Sequence, residues 1–209
     1  VCVSTDIENC YNTQNRAAAL HGLQGAESLS HLTTFAATIL APVPALETRG
    51  KVWGSTGTGK IQGDSASGPL QAVGFQPSVE ILDAECSVGG GVARAGADDV
   101  FAVGPPEIVI PAIQRFAAEV EERCSLRLQW SKSTVYTREG GLPDNTPAGL
   151  SLAGEQVGEQ FLRGTMVYGV PVGCPEYITF KLREKAEEII SDANKTREVL
   201  ATDPQALWT

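Results

Sequence analysis

Adjacent aspartates, Asp98-Asp99, lie between two runs of small and apolar residues, Val92 to Ala97 and Val100 to Val103. The pattern predicts a hairpin with both carboxylates at its tip. Asp tolerates turn geometry, so such a pair is common in surface turns. Flanks typical of buried strands change the chemistry, because like charges held together there repel unless a cation neutralises them. A further carboxylate, Asp6, ends the strand Val1-Cys-Val-Ser-Thr5, and Gln62-Gly63-Asp64 forms a turn between the two stations. Carboxylates brought by separate strands to one end of a sheet can hold two Mg²⁺ ions about 3.5–4 Å apart, which clamp the attacking and leaving oxygens of a phosphoryl transfer. Mg²⁺ is bound in such sites through one or two carboxylates plus substrate phosphates.

The elements that must position these residues are legible as an α+β order with an antiparallel sheet. Arg16 to Leu20 reads as a small helix ended near Gly22, and Glu27 to Leu40 as a second helix closed before Pro42. Leu46 to Trp53 and Thr58 to Ile61 read as a hairpin around Gly54-Ser-Thr-Gly57. Leu70 to Cys86 reads as a buried helix that Pro77 should kink or divide. Pro105-Pro106-Glu107 opens a helix whose Val109, Ile113, Phe116 and Val120 form one apolar stripe facing a sheet. Leu126 to Trp130 and Thr134 to Tyr136 read as another hairpin, with Lys132 in its turn. Gly140 to Gly158 reads as a loop or boundary. Pro175 starts a long helix to about Ala201, with Leu182, Ala186, Ile189 and Ala193 as its expected buried stripe.

Composition narrows the class. The 209 residues are 42% hydrophobic, ordinary for a globular chain. No stretch approaches 18 uninterrupted apolar residues, so no transmembrane helix and no membrane partner is expected. No signal peptide is apparent. The five cysteines are scattered without a CxxC pair, and only two histidines accompany them. A zinc site needs clustered Cys and His ligands, so none is expected, and the cysteine usage suggests an intracellular, reducing compartment rather than secretion. The chain begins without Met and reads as a fragment of a longer frame.

The net charge of −9 runs against nucleic-acid binding, which usually needs a basic groove. No Lys or Arg occurs between Lys60 and Arg94; basic residues gather at Arg115 to Arg163 and again at Lys181 to Arg197. Acidity by itself is most simply a device for solubility. Gly54-Ser-Thr-Gly-Thr-Gly59-Lys60 has the spacing of a phosphate-binding loop. That motif requires Ser or Thr next and then a helix. Ile61 and the Gln62-Gly63-Asp64 turn follow instead, so a Gly-rich hairpin is the expected account.

Taken in order, the stations resemble the palm of reverse transcriptases, especially those of non-LTR retroelements and group II introns. The first family motif appears as Asp6-Ile-Glu-Asn-Cys-Tyr11-Asn12, the second as Gln62-Gly63-Asp64-Ser65, and the third as Gly96-Ala97-Asp98-Asp99. The fourth appears as Leu126-Arg-Leu-Gln-Trp-Ser-Lys132, and Tyr168-Gly-Val-Pro-Val-Gly173 looks like the hairpin that joins palm to thumb. Three positions depart from the family pattern: Gly96 stands for an aromatic, Ser65 for a proline and Asn12 for a frequent Asp.

The resemblance implies a polymerase-palm antiparallel sheet with helices on one face over residues 1–139, then a palm–thumb connection and partial helical thumb over 140–209, with the fingers upstream. It implies an RNA-directed DNA polymerase using two Mg²⁺ ions, an RNA template, a DNA primer and dNTPs. Asp6 and Asp98 would be the main metal ligands and Asp99 a supporting carboxylate. Tyr11 would lie under the incoming sugar, Gln62 and Gly63 would brace the template and nascent pair, and Lys132 would meet the leaving pyrophosphate. Read without the family, Tyr11 is equally a core aromatic and Lys132 a solvated turn lysine. The alternative is a catalytically inactive relic or binding module that keeps the palm fold.

Overall fold

The computed structural model describes residues 1–41, 45–48, 51–55, 58–60 and 65–202. They divide into two units between Leu152 and Ala153. The first unit extends past the expected boundary at 139, because a short strand at its end pairs back into its sheet.

In the first unit, β1 (Cys2–Thr5) leads through the single turn α1 (Cys10–Thr13) to α2 (Arg16–Gly25). Asn15 caps α2, its side chain accepting from the Ala17 amide at 2.8 Å, and the helix runs past Gly22, where the sequence suggested an end. The expected helix from Glu27 to Leu40 is split into a 3₁₀ segment, Glu27–Leu32, and α3 (Thr33–Leu40). Ser30 Oγ donates to the Glu27 carbonyl at 2.9 Å. Such local bonds compete with the α-helical ladder and explain the tighter first half.

Strands β2 (Ala45–Thr48) and β3 (Lys51–Ser55) form an antiparallel hairpin. The expected turn at Gly54 to Gly57 is incorrect: Gly54 and Ser55 pair with Leu46 and Ala45 inside the ladder.

The next helix, α4 (Ser67–Ser87), is continuous through Pro77, contrary to the expected division. Pro77 supplies no N–H to the carbonyl of Val73 one turn earlier. Gly22 of α2 lies directly against that carbonyl oxygen, so closely that a Cβ at Gly22 would collide with it. Gly74 faces α2 in turn; a Cβ there would stand 2.8 Å from the Ala19 nitrogen. Two glycines thus let the helix backbones meet where proline has opened the hydrogen-bond ladder.

Hairpin β4 (Val92–Gly96) and β5 (Asp99–Val103) precedes α5 (Pro106–Cys124), then β6 (Thr134–Tyr136) and β7 (Ser151–Leu152). The sheet order is β4-β5-β1-β6-β7, antiparallel except for β6 with β7. Residues 126–130 are not the expected strand partner of β6. Leu126 and Leu128 instead bury their side chains, Leu128 makes an isolated bridge to Ile7, and β6 pairs with β1.

Helices α4 and α5 pack over a core that includes Val3, Val100, Ala102 and Val135 from the sheet. The stripe Val109, Ile113, Phe116 and Val120 is buried as the sequence implies, and Phe116 meets Phe75 edge-on at 5.8 Å.

In the second unit, β8 (Gly154–Val157), β9 (Gln160–Val167) and β10 (Val170–Gly173) form an antiparallel meander, followed by α6 (Pro175–Thr202). The expected 140–158 loop therefore contains β7 and β8. The turn Tyr168-Gly169 has positive φ at both residues, 48° and 79°, the geometry that two-residue hairpins favour. Tyr177, at the start of α6, is buried against Gly164 and Gly173. The expected buried stripe farther along is exposed: Leu182 is 57% and Ile189 58% accessible. A helix of 28 residues spans roughly 42 Å, well beyond the about 26 Å of the eight-residue β9, the longest strand of the meander, so only its first turns find the meander within this unit. Among the described residues no helix is long and apolar enough to cross a membrane.

The α2–α4 contact is a direct test of the packing. Gly74→Ala should destabilise the chain by about 1–3 kcal/mol, the usual range for overpacking, as read from denaturant unfolding. Gly68→Ala, where a Cβ meets nothing within 4 Å, should be neutral or stabilising in the same measurement.

Candidate active site

β1 and β5 pair in the register Cys2↔Val103 to Thr5↔Val100. Continuing that ladder by one residue brings Asp6 level with Asp99, where antiparallel neighbours have Cα atoms about 4.5–5.5 Å apart. The β4–β5 turn then sets Asp98 beside them, reversing through Ala97 at φ 57°. By the period of two, positions 6 and 99 continue the rows Cys2, Ser4 and Phe101, Val103, on the face turned away from the helical core. Sheet pairing therefore gathers carboxylates that are far apart in sequence.

The backbone at Asp6 is clasped by the segment after Leu128. The Asp6 N–H donates to Ser133 Oγ at 3.2 Å, and the Gln129 N–H donates to the Asp6 carbonyl at 2.8 Å. Ser133 Oγ donates onward to the Gln129 carbonyl at 2.9 Å. The same segment carries Lys132, whose Nζ stands 3.8 Å from Asp6 Oδ2. Both side chains are partly exposed, so this pair contributes little to stability.

Asp6, Asp98, Tyr11 and Lys132 line one open polar cleft of about 400 Å³, with Asn9 and Gln129 completing its wall. Asn9 adopts φ 48°, turning the chain from β1 into α1 and bringing Tyr11 to the cleft. Asn9, Gln129 and Ser133 were not distinguished by sequence; Asn tolerance of the left-handed region was the available signal. Cys10, buried, also lines the cleft, and the buried Lys60 donates its N–H to the carbonyl of Tyr11. Burial, reinforced by the charge on Asp98, pushes the Cys10 thiol up to about 12. Lys60 is another residue that the sequence did not place here, since its Gly-rich context favoured a hairpin.

The hairpin tip is not buried as its flanks suggested: Asp98 and Asp99 are exposed. Their repulsion remains. Partial burial of the carboxyl and then the charges of Asp98 and Asp6 raise the Asp99 pKa above its ordinary value. Gln62 and Gly63 lie outside the described residues.

Oxygen donors in this arrangement suit a hard divalent cation, and negative potential already concentrates at Asp99. Among the described residues, no three His, Cys, Asp or Glu side chains are drawn together into a ready-made metal cluster. The residues fit an Mg²⁺ that takes part of its coordination from substrate phosphates, as Mg²⁺ commonly does.

No family model matches the chain, and no curated protein does. Its backbone is similar to solved telomerase structures. Apo telomerase from Candida tropicalis matches with a TM-score of 0.58 at 11% identity, covering 84% of this chain and 32% of that one. The form truncated from its C-terminal domain matches at 0.54 and 12%, covering 84% and 34%. Telomerase from Candida albicans, in complex with the TWJ fragment of telomeric RNA, matches at 0.56 and 12%, covering 84% and 30%. The chain spans about a third of the length of these structures. The chain has an α+β, polymerase-palm-like fold similar to that of the matched part of these telomerase structures.

The charge coupling at the hairpin tip can be measured. A carboxyl whose folded pKa is raised keeps its proton longer in the folded state, so its contribution to stability declines as pH rises from the unfolded value through the folded one. In carboxyl NMR titrations, Asp98→Asn should move the Asp99 midpoint down towards its ordinary value. An unchanged midpoint would show that the two carboxylates do not interact.

Proposed function

We propose that this chain is the palm and start of the thumb of a reverse transcriptase, of the non-LTR retroelement or group II intron type. Its reaction is the addition of a dNTP to a primer 3′-hydroxyl on an RNA template. One observation carries the reading: the β1–β5 register brings Asp6 to the Asp98-Asp99 turn, beside Tyr11 and Lys132, in a palm-like fold.

Asp6 and Asp98 would hold the metal ions, with Asp99 as the adjacent carboxylate. Bound Mg²⁺ would supply activation of the 3′-hydroxyl and neutralisation of charge on the triphosphate. The chain's own residues supply position. Ser133 and Gln129 fix the Asp6 backbone, and Tyr11 forms the cleft wall against which the sugar would lie. Lys132 would exchange its long contact with Asp6 for a phosphate oxygen, a stronger charge-assisted partner. The exposed apolar row of α6 would lie along the minor groove of the product duplex.

Polymerisation should require Mg²⁺ and should fall by more than about 100-fold in Asp98→Ala, the scale seen when a preorganised charge-stabilising group is removed. Primer extension on an RNA template, with the upstream fingers supplied, measures this. Equal incorporation by the variant would sink the assigned role.

A second reading has support of its own. Gly96 replaces the aromatic expected before the carboxylate pair, and among the described residues the acidic side chains do not form a metal-holding cluster of three. These favour a non-catalytic relic or binding module with a retained palm fold. Thermal unfolding with and without Mg²⁺ separates the two. The polymerase reading predicts a rise in Tm with Mg²⁺ that Asp6→Asn abolishes; the relic reading predicts no Mg²⁺-dependent shift in either protein.

A further inference from the structure

Lys60 is an unusual residue to find inside a protein. It is 6% exposed, and burial lowers its pKa to about 8. Burying an ammonium is unfavourable unless acceptors receive it. Here Nζ donates to Gln14 Oε1, while Gln14 Nε2 donates to the Gln71 carbonyl at 3.2 Å. Gln71 Nε2 donates to Cys10 Sγ, so the chain of polar contacts returns to α1.

The backbone beside Lys60 is tied to the same place. The Lys60 N–H donates to the Tyr11 carbonyl at 2.7 Å, and the Gly59 N–H donates to the Gln14 carbonyl at 3.2 Å. Arg16 Nε donates to the Gly59 carbonyl at 2.9 Å, bracing the segment from α2. Gly59 has φ 69° and presses against the backbone of Asn12, where a side chain would collide.

α1 has few side-chain bonds of its own, Thr13 Oγ1 donating to the Glu8 and Asn9 carbonyls at 3.2 and 3.0 Å. It is one turn of four residues, and its left-handed Asn9 makes no side-chain capping bond. An isolated turn is unfavourable because nucleation fixes several dihedrals for few hydrogen bonds. The Gly59-Lys60 contacts fall on Tyr11, Asn12 and Gln14, the residues of and just after that turn.

We propose that Gly59-Lys60 is the positioning element for Tyr11, gripping α1 from beneath so that the tyrosine stays on the wall of the nucleotide cleft. This deepens the nucleotidyl-transfer reading and rests on it for the meaning of Tyr11. The buried ammonium acts through Gln14 and the α1 backbone, not on substrate. Its consequence is sugar selection: a looser α1 lets Tyr11 move and admits the 2′-hydroxyl of a ribonucleotide.

The test is Lys60→Met, which keeps much of the side-chain volume and removes the charge. Hydrogen exchange on this chain should show the amides of Asn12, Thr13 and Gln14 losing protection by about ten-fold or more, with α5 unchanged. In primer extension by the protein with its fingers, the ratio of dNTP to rNTP kcat/KM should fall by about ten-fold, through KM more than kcat. Unchanged α1 protection in a folded Lys60→Met chain overturns the inference, as does unchanged sugar selection in an active enzyme. If the wild-type protein incorporates no nucleotide, the polymerase reading fails, and α1 exchange alone decides whether the clamp exists.

Should the variant not fold, the wild-type chain carries the same test between pH 7 and 9. Cys10, Cys124 and Arg16 face Lys60; burial raises both thiols and lowers Lys60 to about 8, so Lys60 is the group moved into that interval. Its lowered pKa means that the unfolded chain binds the extra proton from about pH 8 towards 10.5, so this group's contribution to stability rises with pH over that interval. After correction for intrinsic exchange rates, α1 protection should change across pH 8 while α5 does not. A flat α1 profile overturns the inference.

Discussion

The structure depends on the antiparallel pairing of β1 with β5. That ladder is the centre of the sheet, with β4 outside one strand and β6 outside the other. Its register joins the Thr5–Val100 pair to the two acidic stations just beyond it. A slip of one residue would turn Val3 out of the core and reverse the faces of every neighbour. Core packing and site assembly are therefore one constraint: Val3, Val100 and Ala102 are buried under α4 and α5, and that burial fixes where Asp6 meets Asp98-Asp99.

The same constraint sustains an arrangement that electrostatics opposes. Partial burial, and then the charges of Asp98 and Asp6, raise the Asp99 pKa. Solvent at the exposed tip weakens that repulsion, and Lys132 offsets part of it across 3.8 Å. The net charge of −9 then describes the chain's average and says little about local complementarity, since the segment that clasps Asp6 also carries Lys132.

Much of this organisation was legible in the sequence where a local rule and the tertiary context agreed. The stripe of α5 obeyed the helical period and a proline start. The β4–β5 hairpin obeyed alternation around a turn, and Tyr168-Gly169 obeyed hairpin turn chemistry. The misreadings arose where packing overrode the local signal. Pro77 did not divide α4, because Gly22 occupies the opening that it creates. Leu126 and Leu128 alternate like a strand, yet they serve the core while β6 takes the edge of β1. The row on α6 has the period of a buried stripe and is exposed within its unit. In the site, Asp6, Tyr11, Asp98 and Lys132, which line one cleft, were singled out by motifs in order. Lys60 was not, because a glycine-rich neighbourhood carries no sign of the Gln14 and Gln71 side chains that receive a buried ammonium.

The most direct measurement of the central claim uses Mn²⁺ in place of Mg²⁺ and reads paramagnetic broadening of backbone amide signals. Convergence of the β1 end with the β4–β5 turn predicts that Asp6, Asp98 and Asp99 broaden together at low Mn²⁺, before any other acidic segment, and that Asp98→Ala removes the effect at Asp6 as well. Broadening confined to the acidic face of α6, or loss at Asp98 with Asp6 untouched, would contradict a shared cation site.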